Sequence, residues 1–246
     1  MSLSELYNRL SYEMSSLEKV ILKNIKDTFQ KLEPSNIHEY FYLYCYLLFN
    51  GYLSKDKYYE HNEAKTDEIV DRRIYDNYNI YSGTGVCSAN SVLLQKIFTE
   101  LSLDSKVLEI KLEDIIGDKL MDIKRNVGVC YPILNTDSCN HAVVFAKTKE
   151  SNFILDSTNI CELEVIKDKQ IYYPNGSYLL DEELLKASLP NITYNQESTI
   201  TNQMLLEYYR NIKKKCIENQ KLLDCLYTEN KENYKEISKK LEYFEL

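Results

Sequence analysis

Three residue types that together perform acyl transfer recur in this chain in a suggestive order: Cys87, His141 and Asp156. A small-residue turn, Gly83-Thr84-Gly85-Val86, delivers Cys87 to the start of a helical pattern, while His141 and Asp156 sit in strand-like runs. A cysteine at a helix N-terminus meets unpaired backbone N–H groups and the positive end of the helix dipole, both of which favour the reactive thiolate. A neighbouring imidazole takes the thiol proton and returns it to a leaving amine, and a carboxylate orients that imidazole. The chain has only three histidines, and the other two, His38 in a tyrosine-rich helical run and His61 in a charged loop, compete weakly with His141.

The elements that must position these residues follow from hydrophobic periodicity. Leu94, Ile97, Phe98 and Leu101 form one face of a helix after Cys87, leaving its N-terminus at a cleft. Leu108, Ile110 and Leu112 alternate with charged residues, which predicts a half-buried strand. The runs 141–147 and 152–156 predict a β-hairpin. With Lys147 opposite Glu150 across a two-residue loop at Thr148 and Lys149, His141 falls directly opposite Asp156. A slip of two residues makes them diagonal neighbours on one face, and a slip of one separates them.

Around this centre the pattern is helical. Leu3, Leu6, Leu10, Met14, Leu17, Ile21, Ile25, Phe29 and Leu32 predict a long amphipathic helix ending before Pro34. A second helix, from about Ile37 to Asn50, is apolar all round and stops at Gly51. Short helices are expected over 66–75 and 181–189, with a turn at Pro174-Asn175-Gly176 among tyrosines. From Thr199 onward a charged helical hairpin with a break near Tyr227 to Asn230 is expected. The expected organisation is N-terminal helices over 1–65, a core over 66–195 and a helical hairpin over 196–246.

Gly85-Val86-Cys87 with its apolar-faced helix, Asn140-His141-Ala142-Val143-Val144, and Leu155-Asp156-Ser157-Thr158 resemble the three sequence blocks of the transglutaminase-like superfamily. The resemblance covers Tyr75 to Asn159. It implies an α+β fold whose papain-like core has an antiparallel sheet and a catalytic helix, with helical additions at both ends. It also implies Cys87 as nucleophile, His141 as general base and acid, and Asp156 as orienting group. The chain departs from the family by carrying Asn140 before the histidine and Asn159 after the Asp-Ser-Thr block, and by having no tryptophan to serve as an oxyanion donor. One oxyanion donor is expected to be the Cys87 backbone N–H. Tyr81 and Asn79, in the preceding loop, are candidates for the second, and Asn140 is a further supporting candidate. Arylamine N-acetyltransferases share the Cys, His, Asp order, but follow the Asp with a Val-Gly stretch that is absent here.

Composition bounds the partners. A net charge of −8 with a pI near 5.1 argues against a general nucleic-acid binder. The longest apolar run, Tyr40 to Phe49, is too short to cross a bilayer, and no basic-then-apolar leader opens the sequence. Seven cysteines without repeated spacing fit a reducing, cytoplasmic setting better than a disulfide framework. Cys139-Asn140-His141 lacks a second ligand pair nearby, so neither a metal nor another cofactor is expected. Cys45, Cys130, Cys161, Cys216 and Cys225 are expected to be small core residues. These readings lead to a thiol-dependent hydrolase of the cysteine peptidase or amidase type, acting on a protein or peptide. Acyl transfer to an amine and a non-catalytic binding module on the same fold are the alternatives. Oligomeric state, substrate identity and delivery to another compartment are left open.

Overall fold

The computed structural model describes residues 3–59, 77–113, 127–132, 141–158, 160–164, 171–174 and 201–242. The expected helices over 66–75 and 181–189, the turn at Asn175-Gly176, and Asn140, Cys139, His61 and Tyr178 lie outside the described residues.

The fold is α+β. Helix α1 (Leu3–Leu32) buries Leu10, Met14, Ile21, Ile25, Phe29 and Leu32 along one stripe. It ends where Glu33 adopts a left-handed backbone, φ 48°, ahead of Pro34. Helix α2 (Ile37–Phe49) starts at Asn36, whose side chain accepts the Glu39 N–H at 3.0 Å. Its buried residues run from Ile37 through Leu48 around nearly the whole circumference, so it forms the centre of the core. Gly51, at φ +70°, turns the chain away, and any Cβ there would fall 1.9 Å from the Lys57 backbone.

A 3₁₀ turn (Asn79–Ser82) leads through Gly83, φ +93°, to α3 (Cys87–Glu100). Among the described residues six strands follow: β1 (Ser105–Glu113), β2 (Val127–Pro132), β3 (His141–Lys147), β4 (Asn152–Asp156), β5 (Cys161–Glu164) and β6 (Ile171–Pro174). They form one antiparallel sheet in the order β5-β4-β3-β1-β2-β6. Its outer strands, β5 and β6, approach one another, so the sheet is curled. Helix α3 packs on β3 and β1, which makes these central strands the floor beneath Cys87.

The C-terminal part holds α4 (Asn202–Glu218) and α5 (Gln220–Leu241). The break falls at Asn219 rather than between Tyr227 and Asn230. The polar run that suggested the later break is used in packing. Asn230 is buried and accepts the Asn24 amide at 2.8 Å, Tyr227 donates to the Lys55 carbonyl, and Thr228 bonds back to Asp224. Helix α4 lies on α2 and α5 on α1, so each covers a different N-terminal helix. Among the described residues, no helix is long and apolar enough to cross a membrane.

Candidate active site

Cys87 is the first residue of α3 and is partly exposed. The N-cap position is Val86, with extended backbone and a side chain that makes no capping bond, and no acidic residue lies in the first turn. Cys87 thus stands at the positive end of the helix dipole, which favours a thiolate. Gly85 fits because the chain passes very close to its neighbours. A Cβ there would meet the Tyr59 hydroxyl at 2.8 Å and the Asn90 side-chain oxygen at 3.3 Å.

The register of β3 on β4 pairs Val144 with Leu155 and Lys147 with Asn152. Continued by one residue, it sets Asp156 across from Val143, two positions from His141. The pairing is thus the two-residue slip, and His141 and Asp156 occupy diagonal register positions. The cause lies in the turn. Thr148 pairs with Ser151 through a backbone bond of 2.9 Å, and its hydroxyl accepts the Glu150 and Ser151 amides at 3.2 and 3.0 Å. The hairpin tip is thereby moved one residue onward, to Lys149 and Glu150.

Two bonds join the three elements at one place. Ser91, one turn beyond Cys87, donates its hydroxyl to the carbonyl of Ala142, the residue after His141, at 2.9 Å. Asn90 donates its amide to the Thr158 hydroxyl at 3.4 Å, and the Thr158 N–H donates to Asp156 Oδ1 at 3.0 Å. The first turn of α3, the start of β3 and the end of β4 therefore meet, with Asp156, Asn90 and Ser91 all buried. Tyr59 donates to Asn90 Oδ1 at 2.7 Å and Tyr44 to the Asn90 carbonyl at 2.8 Å. Tyr59, Asn90, Ser91 and Thr158 are supporting residues not singled out from sequence. The available signal was the pair of polar residues three and four positions after Cys87, a spacing that returns to the same helical face.

The two oxyanion candidates part company. Tyr81 is buried, stacks on Tyr234 with ring centres 5.8 Å apart, and donates its hydroxyl to Glu18 at 2.8 Å. Burial, then the Glu18 charge, pushes its phenol well above the ordinary range. It belongs to the helical core, with its hydroxyl committed there. Asn79 is fully buried, and neither polar atom of its carboxamide has a hydrogen-bond partner among the described residues. Such groups are uncommon in folded proteins and call for a reason.

His38 is a buried core residue: its Nδ1 pairs with the Glu162 carboxylate, and its ring stacks on Tyr208 and meets Phe153 edge-on. Cys45 and Cys216 are buried as expected. Burial, then the charges of Asp156 and Glu162, pushes the Cys45 thiol well up, and burial pushes Cys216 up to about 12. Cys225 is exposed on α5, contrary to the core placement expected from its helical run. It sits on the side of α5 away from Leu223 and Leu226, the residues that carry the packing. Backbone positions alone are described for Cys130 and Cys161, in β2 and β5. No cluster able to hold a metal ion occurs among the described residues.

No protein-family model, curated protein or solved structure matches this chain.

Proposed function

We propose that this chain is a thiol-dependent hydrolase with a transglutaminase-like, papain-like arrangement of Cys87, His141 and Asp156, acting on an amide bond of a peptide or protein in the cytoplasm. The observation that carries the reading is the convergence of the Cys87 end of α3 with the ends of β3 and β4, through the Ser91–Ala142 and Asn90–Thr158 bonds.

In this mechanism the Cys87 thiolate adds to the substrate carbonyl carbon, having given its proton to His141. The oxyanion is met by the Cys87 N–H and, in this reading, by the Asn79 carboxamide. Collapse breaks the C–N bond, and His141 hands its proton to the departing amine. Water, deprotonated by the same imidazole, then attacks the thioester, releases the carboxylic acid and restores the thiol. Asp156 holds the imidazole in the useful orientation and stabilises its charged form.

The test is the rate of Cys87 alkylation against pH, resolved by peptide mass spectrometry, in wild type and in His141→Ala. Selective labelling well below the ordinary thiol pKa of ~8.5, lost in the variant, is the expected result. Labelling of Cys87 at the rate of an ordinary exposed thiol in both proteins would sink the proposal.

A further inference from the structure

We infer that Asn90 is a positioning residue for this site, setting the Asp156 carboxylate against the Cys87 end of α3 through Thr158. The inference rests on the reading of Cys87, His141 and Asp156 as the reacting groups.

Asn90 lies three residues after Cys87 and is fully buried, where packing alone would favour an apolar side chain. A buried carboxamide is costly unless both ends are bonded. Here both are, the oxygen to Tyr59 and the NH₂ to Thr158. Tyr59 is a phenol in a buried setting that pushes its ionisation up, so it remains a donor. Its hydroxyl donates to the carbonyl oxygen of Asn90 at 2.7 Å, and the Gly85 carbonyl lies farther off, at 3.4 Å. The NH₂ end faces Thr158, to which it donates at 3.4 Å. Thr158 uses its hydroxyl for Asn90 and its backbone N–H for Asp156 Oδ1, at 3.0 Å. The carboxylate is therefore tied by two consecutive bonds to the turn of helix that bears the thiol.

The third anchor explains why the tie is rigid. The Asn90 backbone carbonyl accepts from Tyr44 of α2 at 2.8 Å, so α2, the loop carrying Tyr59 and the turn after β4 all converge on one residue. None of these partners provides a nucleophile or a proton acceptor at the substrate. Their effect on reaction passes through Asp156 and the imidazole it orients.

The experiment is the pH profile of Cys87 alkylation in the full-length chain, with circular dichroism as the check on folding. Asn90→Ala and Thr158→Val should each move the midpoint upward by about one pH unit, which reads as roughly tenfold slower labelling at pH values below both midpoints. The double variant should move it no further than the larger single effect, because both remove the same connection. Thr158→Ser, which returns the hydroxyl, should restore the wild-type profile. Asn230→Ala removes a similarly buried amide from the seam between α1 and α5, and should lower stability without moving the profile. Should Asn90→Ala fail to fold, the Val and Ser variants of Thr158 decide the matter. An activated, His141-dependent Cys87 whose profile is unchanged by Thr158→Val overturns the positioning role alone. A shift in Asn230→Ala as large as that in the site variants also overturns it. An ordinary Cys87 in wild type overturns it together with the proposed function.

Discussion

At the scale of single residues, the four cysteines whose side chains are described occupy three kinds of surroundings, and this makes chemical labelling informative. Cys45 and Cys216 are buried, with thiols pushed up, Cys225 is exposed on α5, and Cys87 sits partly exposed at the N-terminus of α3. Only thiolate reacts, and only where reagent can reach it. In native protein at pH 7, Cys45 and Cys216 should stay unlabelled while the exposed Cys225 is labelled, as read by peptide mapping. Labelling of Cys45 without denaturant would contradict the buried placement of α2. Gly85 offers a second check. A methyl group there collides with the Tyr59 hydroxyl at 2.8 Å, so Gly85→Ala should cost about 1–3 kcal/mol, in the range of overpacked interiors. Tyr59→Phe removes the obstructing oxygen. Combined with Gly85→Ala in a double-mutant cycle of urea denaturation, it should cost less than the two single changes together, and strict additivity would show that the contact is relieved elsewhere.

At the scale of elements, the hairpin shows what sequence can and cannot specify. Both strands, 141–147 and 152–156, were legible from composition and bounding polar residues, yet the pairing was not, because register depends on the turn. Thr148 folds its hydroxyl over the amides of Glu150 and Ser151, a local bond that hydrophobic pattern does not encode. The same limit applied at the C-terminus: Tyr227, Thr228 and Asn230 look like a break until their partners on α1 and in the loop after α2 are known. Cys87 at a helix start was legible because it is a local feature. Asn90 was not, since its value lies in contacts with Tyr44, Tyr59 and Thr158, distant in sequence. The junction of α1, α2 and α4 yields a pH prediction. Burial opposes ionisation of Glu39, but the Ser35 amide and hydroxyl and the Lys215 ammonium outweigh it and hold the carboxyl below its ordinary range. Lys215 also donates to the Glu33 carbonyl at 2.7 Å, so α4 is fastened to the turn between α1 and α2. A depressed carboxyl contributes stability above the unfolded glutamate value, ~4.3, and loses it as pH falls through the folded value. Glu39→Gln should therefore lower the urea midpoint at pH 7 and converge with wild type in the acid limb below ~4.3. A gap of constant size across that range would exclude the charge as its source.

At the scale of the whole molecule, the helices before and after the sheet are part of one interior. A single cluster of buried side chains runs from Leu10 of α1 through α2 and α3 to Val144 and Leu155 of the sheet, and on to Leu206 of α4 and Leu241 of α5. Helix α5 also fastens the loop that delivers Tyr59 to the site. Tyr234 donates to the Tyr52 carbonyl at 3.1 Å, Tyr227 to that of Lys55 at 3.1 Å, and Lys57 pairs with Asp224 at 2.5 Å while lying over the rings of Tyr52 and Tyr227. The exposed ion pair adds little by itself, whereas the buried ring of Tyr234, stacked on Tyr81, carries much more. Tyr234→Phe keeps the ring and should cost about 0.5–1.5 kcal/mol for the lost hydrogen bond. Tyr234→Ala should cost about 3–5 kcal/mol, as large aromatic truncations in a core do. A chain ending at Asn219 would strip Leu223, Leu226, Tyr234, Ile237 and Leu241 from the interior at once, more than the stability of an ordinary domain can absorb. It should show no cooperative thermal transition by circular dichroism and no selective labelling of Cys87. If that shortened chain instead melts cooperatively with Cys87 still activated, the site is supported by α1 to α4 and the sheet alone, and α5 is free to serve another purpose.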